Sequence, residues 1–397
     1  MKIGIYGGTF DPPHNGHIAA AKAAMERLSL DKLLLVPTFI PPHKELPAGA
    51  ASPQQRLDMT VLATAALGKK AEVLDVELRR GGPSYSWETL CMMKQQYPDD
   101  EIFLLMGSDM FLTLQDWRES RQGMSMARIG AFSRMQGGEE AAFARQKAFL
   151  EREYGADVTV IPNPQVVELS STEVRQALAQ GGGADLLPAA VYGYVLREKL
   201  YGTHMPLAGL TPDELRPIAL SYLKPKRMPH VLGTEQEAVR LVRRYGGDEN
   251  QARIAALLHD CTKKLDMPEQ LALCAEYGIE LDELERKALK LLHSKTGAAI
   301  ARGVFGVEDA VYDAIWYHTT GKPDMTRLEK IIYLADYIEP SRDFDGVEEL
   351  RRAVYEDLDH GLLMGLTMTI QEMEEMGNPV HHLTRDARDY LLKRGIR

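Results

Sequence analysis

Two histidines near the start of the chain, His14 and His17, stand in the sequence GGTFDPPHNGH. Gly7, Gly8 and Thr9 predict a tight turn after a short apolar segment, and the histidines lie where a helical pattern begins. The N-terminus of a helix presents unpaired N–H groups and the positive end of its dipole, so it attracts anions. Imidazoles there can donate hydrogen bonds to phosphoryl oxygens and stabilise charge in a transition state. The segment therefore predicts a phosphate site, with a histidine-containing surface turn as the alternative.

A second segment suited to phosphate has the sequence ELSSTEVRQAL. Ser170 and Glu173 have the spacing of a capping box, which predicts a helix that begins at Ser171. Ser171 and Thr172 add hydroxyls to the free N–H groups of that helix, and Arg175 follows about one turn later. A well-capped helix would explain this segment without any ligand. Two such helix starts in one α/β half nevertheless favour a triphosphate site, although no Walker or G-x-G-x-x-G sequence follows the first strand.

A second constellation of chemistry-bearing residues lies in the other half of the chain. Four histidines and two aspartates occur in or at the end of apolar helical segments: His230, His259, Asp260, His293, His318 and Asp336. A lone histidine on such a helix is more often a satisfied core residue, but four such histidines and two aspartates spread over several helices are hard to explain in that way. A buried ionised carboxylate is unfavourable unless it is paired or metal-bound. Imidazole and carboxylate without thiolate suit iron, manganese or zinc, so the set predicts a metal centre.

The elements that position the first constellation follow a strand–helix alternation over residues 1–200. The predicted strands are Lys2–Tyr6, Asp31–Pro37, Ala71–Leu78, Glu101–Met106, Arg128–Ser133 and Asp157–Ile161, and the clearest helical patterns are Gln54–Leu67 and Trp87–Tyr97. Nearly continuous runs of Val, Ile and Leu are typical of strands that helices cover on both faces. This pattern predicts a doubly wound parallel sheet, in which ligands bind at the carboxyl ends of the strands.

After Leu200 the pattern changes, because a turn-rich segment is followed by helical periodicity in almost every stretch. The predicted organisation is an α/β domain over 1–202, a linker over 203–212 and an all-α domain over 213–397. A chain of 397 residues also favours two domains.

The overall composition excludes several classes of protein. A net charge of −10 argues against a generic nucleic-acid or membrane-binding surface. Three scattered cysteines do not suit a disulfide framework or a cysteine metal site. No apolar run has the length of a membrane span, and the chain begins with a strand rather than a signal peptide. We therefore expect a cytoplasmic protein.

The combination of HxGH and SSTxxR resembles the nucleotidyltransferase superfamily, which has a Rossmann-like fold. Within it, GGTFDPPHNGH together with PPHK, PSYSWETL, GSDMF and SSTEVR is similar to bacterial nicotinate-nucleotide adenylyltransferase. The related pantetheine-phosphate enzymes usually have threonine at the position of His14. The resemblance implies ATP, accompanied by Mg²⁺, and nicotinate mononucleotide as substrates. It implies deamido-NAD and pyrophosphate as products, and preference for nicotinate over nicotinamide rests on the resemblance alone.

The resemblance also implies roles for individual residues. His14 and His17 would hold the ATP phosphates, while Arg175 and the hydroxyls before it would bind the β- and γ-phosphates. The implied substrate-binding residues are Gly7, Gly8, Thr9, Phe10, Lys44, Ser84, Tyr85, Ser86, Gly107, Asp109, Trp117, Ser171 and Thr172. Of these, Trp117 would stack on the pyridine ring. Ser86 stands where the family often has threonine, and residues 38–40 lack the asparagine often found in that loop.

His259 and Asp260, with Lys263 shortly after them, resemble the HD superfamily of metal-dependent phosphohydrolases. The fuller set HVLGTE, LLHDCTKKL, LLHS, YHTTG and KIIYLADYIEPSR is similar to the HD-domain diadenosine tetraphosphate hydrolases, from about Leu215 onward. The resemblance implies two transition-metal ions, with iron favoured and manganese as the alternative. Asp260 would bridge the ions. One would also be held by His230, His259 and Asp336, and the other by His293 and His318.

The implied reaction is symmetric hydrolysis of diadenosine tetraphosphate to two ADP by a metal-activated water. Lys263 would be catalytic, and Thr319 and Arg342 would contact phosphate. Cys261 is interpreted as a packing residue, and the histidines outside the motifs as surface or structural: His204, His360, His381 and His382. The alternatives are another nucleotide phosphatase, or a non-catalytic nucleotide-sensing or dimerisation module. The oligomeric state stays open.

Overall fold

The computed structural model describes residues 1–42, 45–133, 139–162 and 169–396. The chain divides into two compact units, Met1–His204 and Met205–Arg397. The predicted limits of the linker, 203 and 212, stay a prediction. Among the described residues, no helix is both long and apolar enough to span a membrane.

The first unit is built around a six-stranded parallel sheet with the strand order 3-2-1-4-5-6. The strands are β1 (Lys2–Gly8), β2 (Lys32–Pro37), β3 (Ala71–Val73), β4 (Glu101–Met106), β5 (Arg128–Ser133) and β6 (Val158–Pro162). Their apolar side chains are buried, as expected where helices cover both faces. The strand order reverses between β1 and β4, and this is the point at which doubly wound sheets bind ligands. The predicted Rossmann-like sheet is confirmed.

The helices of the first unit cover the sheet. They are α1 (Asn15–Arg27), α2 (Pro53–Ala63), α3 (Val76–Arg80), α4 (Ser86–Gln96), α5 (Ser108–Leu112), α6 (Ser120–Met126), α7 (Glu139–Tyr154), α8 (Ser171–Ala179) and α9 (Ala189–Arg197). As the sequence predicts, α8 begins at Ser171 with a capping box between Ser170 and Glu173. A short 3-10 turn, Leu200–Gly202, follows α9.

The prediction of one strand over Ala71–Leu78 is wrong beyond Val73. The chain turns at Asp75, whose carbonyl accepts from the N–H of Arg79 at 2.9 Å and so closes the first turn of α3. Glu77 then points inward and accepts a hydrogen bond from Thr89 Oγ1 at 2.8 Å. A buried carboxylate thus sits where the apolar alternation suggested continued pairing.

Among its described residues, the second unit contains helices joined by loops and no strands, which confirms the predicted all-α domain. Its helices are α10 (Pro212–Ser221), α11 (Met228–Tyr245), α12 (Glu249–Leu258), α13 (Met267–Glu276), α14 (Leu289–Phe305), α15 (Asp309–Trp316), α16 (Arg327–Ile338), α17 (Val347–Glu356), α18 (Leu358–Glu375) and α19 (His382–Lys393). Helices α11, α12, α14, α15 and α16 pack together around a core of fully buried aliphatic side chains such as Leu258 and Ile332. The predicted metal ligands lie on these five helices or directly after them.

Candidate functional sites

A cleft that is open to solvent lies at the carboxyl ends of β1 and β4. Its lining includes predicted substrate-binding residues from four segments of the chain: Gly7, Gly8, Thr9, Ser84, Tyr85, Ser86, Gly107 and Trp117. Thr38 and Arg118 also line it, and the Arg118 guanidinium lies 4.8 Å from the centre of the Tyr85 ring. Asp109 is exposed in the first turn of α5, while Lys44 lies outside the described residues.

The two histidines of the opening segment sit together at the start of α1. His14 is the N-cap, and its backbone N–H donates to Nδ1 of His17 at 3.2 Å. Because Nδ1 of a neutral His17 accepts this bond, the ring proton is on Nε2, which makes Nε2 a donor. Burial lowers the pKa of His14 to about 4, so this imidazole is neutral near pH 7.

The start of α8 lies beside the same loop, so the structure brings the two predicted phosphate segments together. Arg175 Nη1 donates to the backbone carbonyl of Asp11 at 2.7 Å, and its Nη2 donates to Thr172 Oγ1 at 3.1 Å. Ser171 Oγ lies 3.4 Å from the carbonyl oxygen of Pro12. Two helix N-termini and one guanidinium therefore meet around residues 11–14, as a polyphosphate would require.

Phe10, which the resemblance places at the substrate, is buried beneath the loop. Its ring centre lies 5.2 Å from that of His17 in an edge-to-face arrangement. A Cβ at Gly8 would lie 2.9 Å from the Phe10 ring, so the loop needs a glycine there. The Phe10 side chain therefore supports His17 and does not line the cleft, and a contact of Phe10 with substrate stays a prediction.

Sequence reasoning missed three residues that hold this loop. Asp11 is buried, and its Oδ1 accepts from Tyr201 Oη at 2.6 Å and from the Ala51 N–H at 3.0 Å. Arg56, with no exposed surface, donates to the carbonyls of Thr9 at 2.8 Å, Thr38 at 2.6 Å and Phe39 at 2.9 Å. The sequence does mark Arg56, because it is a charged residue on the same face of α2 as the apolar Met59 and Ala63. No sequence pattern marks Tyr201.

In the second unit, the structure brings all six predicted metal ligands together. Their donor atoms form three overlapping groups in which all atoms lie within 4.8 Å of one another, namely His230, His259 and Asp260; His259, His318 and Asp336; and Asp260, His293 and His318. Asp260 Oδ2 lies 3.6 Å from His259 Nε2 and 3.9 Å from His230 Nε2. Its Oδ1 lies 3.2 Å from His293 Nε2 and 3.9 Å from His318 Nε2.

The protonation states of this cluster suit metal binding. Burial alone would raise the pKa of Asp260, but His259, His293 and Lys263 outweigh it and hold that pKa well below its usual value. Burial lowers the pKa of His259 and His293, and burial with the neighbouring histidines holds the pKa of His318 well below normal. For His230, Asp336 and Glu339 outweigh burial and raise the pKa.

Charged carboxylates, mostly neutral imidazoles and the absence of thiolate in the cluster fit divalent transition metals. His259 Nε2, fully buried, has no hydrogen-bond partner within the described part of the chain. A bound ion would satisfy this lone pair.

Three cations surround the cluster. Arg227 Nε donates to Asp260 Oδ2 at 2.5 Å, and Arg342 Nη2 donates to Asp336 Oδ1 at 2.5 Å. Lys263 Nζ lies 3.0 Å from His293 Nε2 and 3.5 Å from Asp260 Oδ1. These side chains balance the carboxylates and could also contact phosphate oxygens. No sequence pattern marks Arg227, although it directly precedes the helix that carries His230.

The remaining predicted residues of this unit have simple placements. Thr319, next to His318, is half-buried and shares a hydrogen bond with Ser294 at 3.0 Å. Cys261 is buried, and burial raises the pKa of its thiol to about 12, in accord with a packing role.

His381 and His382 lie near Asp282, in a group that could geometrically hold an ion. The Leu383 N–H donates to His381 Nδ1 at 3.2 Å, so the ring proton of a neutral His381 is on Nε2. That nitrogen lies 3.3 Å from Glu285 Oε1 and 3.4 Å from Asp282 Oδ2. The ring therefore caps α19 and lies close to two carboxylates, which favours the predicted structural role.

Two families match the chain. A cytidylyltransferase-like family matches residues 5–177, and an HD domain matches residues 227–341. Over 215 residues the chain is 39% identical to the "Probable nicotinate-nucleotide adenylyltransferase" of Shewanella sp. (strain ANA-3), covering 51% of this chain and 99% of that protein. The chain belongs to the nicotinate-nucleotide adenylyltransferase family.

A second relative of this nicotinate-nucleotide adenylyltransferase family is similar to the chain across both of its units. The Mycoplasma pneumoniae protein named "Probable nicotinate-nucleotide adenylyltransferase/Ap4A hydrolase" is 30% identical over 347 residues, covering 85% of this chain and 88% of that protein. A solved structure of an HD superfamily hydrolase from Clostridium acetobutylicum, described as involved in NAD metabolism, is 44% identical. The match covers 47% of this chain and 98% of the Clostridium chain, at a TM-score of 0.45.

Proposed function

We propose that the chain is a bifunctional enzyme. The first unit transfers AMP from ATP to nicotinate mononucleotide, which yields deamido-NAD and pyrophosphate. The second unit hydrolyses diadenosine tetraphosphate symmetrically to two ADP. The observation that carries the first activity is the meeting of the α1 and α8 N-termini beside the cleft, and family membership supports it. The six-ligand cluster and the name of the Mycoplasma relative support the second.

In the first reaction, a phosphate oxygen of nicotinate mononucleotide attacks the α-phosphorus of ATP. A new P–O bond forms, and the bond to the bridging oxygen of the β-phosphate breaks to release pyrophosphate. His17 Nε2–H donates to a phosphate oxygen, with His14 beside it, and Arg175 and the α8 N-terminus hold the leaving phosphates. Mg²⁺ would accompany ATP, since it binds mainly through substrate phosphates. Trp117 and Tyr85 would flank the pyridine ring in the cleft.

His17→Ala tests this assignment. Loss of one donor to a transition-state oxyanion lowers kcat about 100- to 1000-fold, measured as deamido-NAD formation. His204→Ala is the matched control, because His204 is an exposed histidine of the same unit and should leave the rate unchanged. A His17→Ala enzyme with near-normal turnover would refute the role of His17.

In the second reaction, two divalent metals would activate a water and neutralise phosphate oxygens. Asp260 is suited to bridge them, because its two oxygens face different histidine pairs. Lys263, Arg227 and Arg342 would bind the tetraphosphate, with Thr319 nearby. Iron is the favoured metal and manganese the alternative. A cytoplasmic location stays part of the proposal, since the first reaction needs ATP.

Asp260→Asn in the full chain tests the second activity. ADP release from diadenosine tetraphosphate should be lost, while deamido-NAD formation by the same preparation continues and shows that the chain is folded. If the unmodified enzyme turns over a nucleoside monophosphate and not the tetraphosphate, the second unit is a different phosphatase. If it hydrolyses neither, the sensing or dimerisation role is favoured.

A further inference from the structure

We propose that the two metal positions of the second unit differ in strength, and that Glu339 is a positioning residue that makes the His230 position the tighter one. This inference rests on the proposed metal centre. It concerns the groups behind the ligands, which act on a metal through the imidazole rings. Such groups fix the orientation of a ligand and increase its donor strength, and their loss typically lowers metal affinity 10- to 100-fold.

The first observation is a buried carboxylate behind one ligand. His230 Nδ1 lies 3.0 Å from Glu339 Oε1. Because a carboxylate can only accept, Nδ1 carries a proton that it donates to Glu339. Nε2 lies 3.0 Å from Asp336 Oδ1, and a metal bound between these two atoms would replace the proton of Nε2 while Nδ1 keeps its own. The negative charge of the carboxylate makes this imidazole the stronger donor.

The surroundings of Glu339 hold its carboxylate in that position. The Ser341 N–H donates to Oε2 at 2.7 Å, and Ser341 Oγ donates to Oε1 at 2.5 Å. On α11, Gly233 follows His230 by about one turn, and a Cβ at this position would lie 2.5 Å from Glu339 Oε2. The glycine therefore leaves the space that the carboxylate occupies.

The other three histidines lack such support. His259 Nδ1 lies 2.7 Å from the Ala256 carbonyl, and His318 Nδ1 lies 2.7 Å from the Ile315 carbonyl, both within their own helical turns. His293 Nδ1 is buried and has no hydrogen-bond partner among the residues described.

The same His293 also faces a competing cation, because Lys263 Nζ lies 3.0 Å from its Nε2. The position that uses His230, His259 and Asp336 thus has a carboxylate-backed ligand. The position that uses His293 and His318 has one ring with no support and a nearby ammonium. We expect the second position to release its metal first.

The test uses the full-length chain loaded with Mn²⁺. Metal per chain is measured by mass spectrometry during titration with a chelator, and EPR distinguishes coupled pairs of ions from single ones. The wild type should lose one Mn²⁺ at least tenfold more readily than the other, with single-ion spectra in between. Glu339→Gln, which keeps an acceptor without the charge, should weaken the tighter site about tenfold, and Glu339→Ala up to 100-fold. Gly233→Ala should have a similar effect because it displaces the carboxylate.

Glu329→Gln is the matched control. Glu329 is also a buried glutamate and lies in the first turn of α16, whereas Glu339 directly follows that helix, and Glu329 pairs with Lys322 at 2.8 Å. This variant should retain the wild-type titration. If wild-type protein binds no metal, the proposed centre itself fails. If it binds two ions with equal affinity, the asymmetry is refuted. Two unequal sites that Glu339→Gln, Glu339→Ala and Gly233→Ala leave unchanged would refute the role of Glu339.

Discussion

Replacement of Tyr201 by phenylalanine should slow nucleotidyl transfer without altering any group that lines the cleft. Tyr201 Oη donates to Asp11 Oδ1 at 2.6 Å, and Asp11 uses its backbone carbonyl to hold Arg175 at 2.7 Å. Tyr201 follows Asp11 by 190 positions, so this contact joins the last turn of the first unit to the loop around residues 11–14. Tyr201→Phe removes one hydroxyl and keeps the ring.

The expected decrease in the rate of Tyr201→Phe follows from the charge and burial of Asp11. A hydrogen bond to a charged group contributes about 1.5–3 kcal/mol, and about 1.4 kcal/mol corresponds to a factor of ten. The Ala51 N–H still donates to Asp11 Oδ1 at 3.0 Å, and Arg175 Nη1 lies 3.6 Å from Oδ2. Because the carboxylate retains these partners, we take the lower end, about a tenfold decrease in kcat/KM for ATP.

The control variant is Tyr194→Phe. Tyr194 Oη donates to Asp58 Oδ2 at 3.0 Å. This is also a tyrosine–aspartate hydrogen bond of the first unit, but it joins α9 to α2 and not to Asp11. Initial rates of pyrophosphate release at varied ATP, with thermal unfolding of each variant, separate the two effects. Tyr194→Phe should lower only the unfolding temperature. Equal kinetic losses in both variants, or normal kinetics in Tyr201→Phe, would refute the reasoning.

Two further predictions concern the stability of the first unit. Arg56→Met leaves three carbonyls without their buried donor and should lower the free energy of unfolding by at least about 3 kcal/mol. The control is Arg79→Met, which breaks an exposed pair with Asp75 and should lower it by less than about 1 kcal/mol. Urea denaturation measures both values. Burial lowers the pKa of His14 from 6.5 to about 4 in the folded chain. As the pH falls, the His14 imidazole therefore takes up a proton in the unfolded chain before it does so in the folded chain. The free energy of unfolding should therefore decrease between these pH values by about 1.4 kcal/mol per pH unit, relative to a His14→Gln chain. An equal difference between the two chains at pH 7 and pH 5 would contradict this expectation.

The fold was largely predictable because local patterns agree with the global architecture. Nearly continuous apolar strands require helices on both faces, and the capping box at Ser170 defines the start of α8 from four residues alone. The error after Val73 has a tertiary cause. Glu77 is accommodated in the interior because Ser84 and Thr89 donate to its carboxylate, and Thr89 belongs to another helix, so no local pattern contains that contact.

The candidate sites were predictable to the extent that chemistry restricts residue types. Buried aspartates and histidines need partners, so their clustering could be anticipated from the sequence. The groups behind them could not, because Glu339 follows His230 by 109 positions and Tyr201 follows Asp11 by 190. Each is an ordinary surface type in the sequence and acquires its role only through a contact made on folding.

The hydrogen-bond partner of the ring nitrogen Nδ1 distinguishes the two groups of histidines. At His17, Nδ1 accepts a backbone N–H, so Nε2 must carry the proton and can donate to an anion. At His259 and His318, Nδ1 faces a backbone carbonyl and must donate, so Nε2 presents a lone pair suited to a metal. The spacing in HxGH is equally compatible with metal ligation and phosphate binding. The partner of Nδ1 decides between them, and it favours phosphate in the first unit and metal in the second.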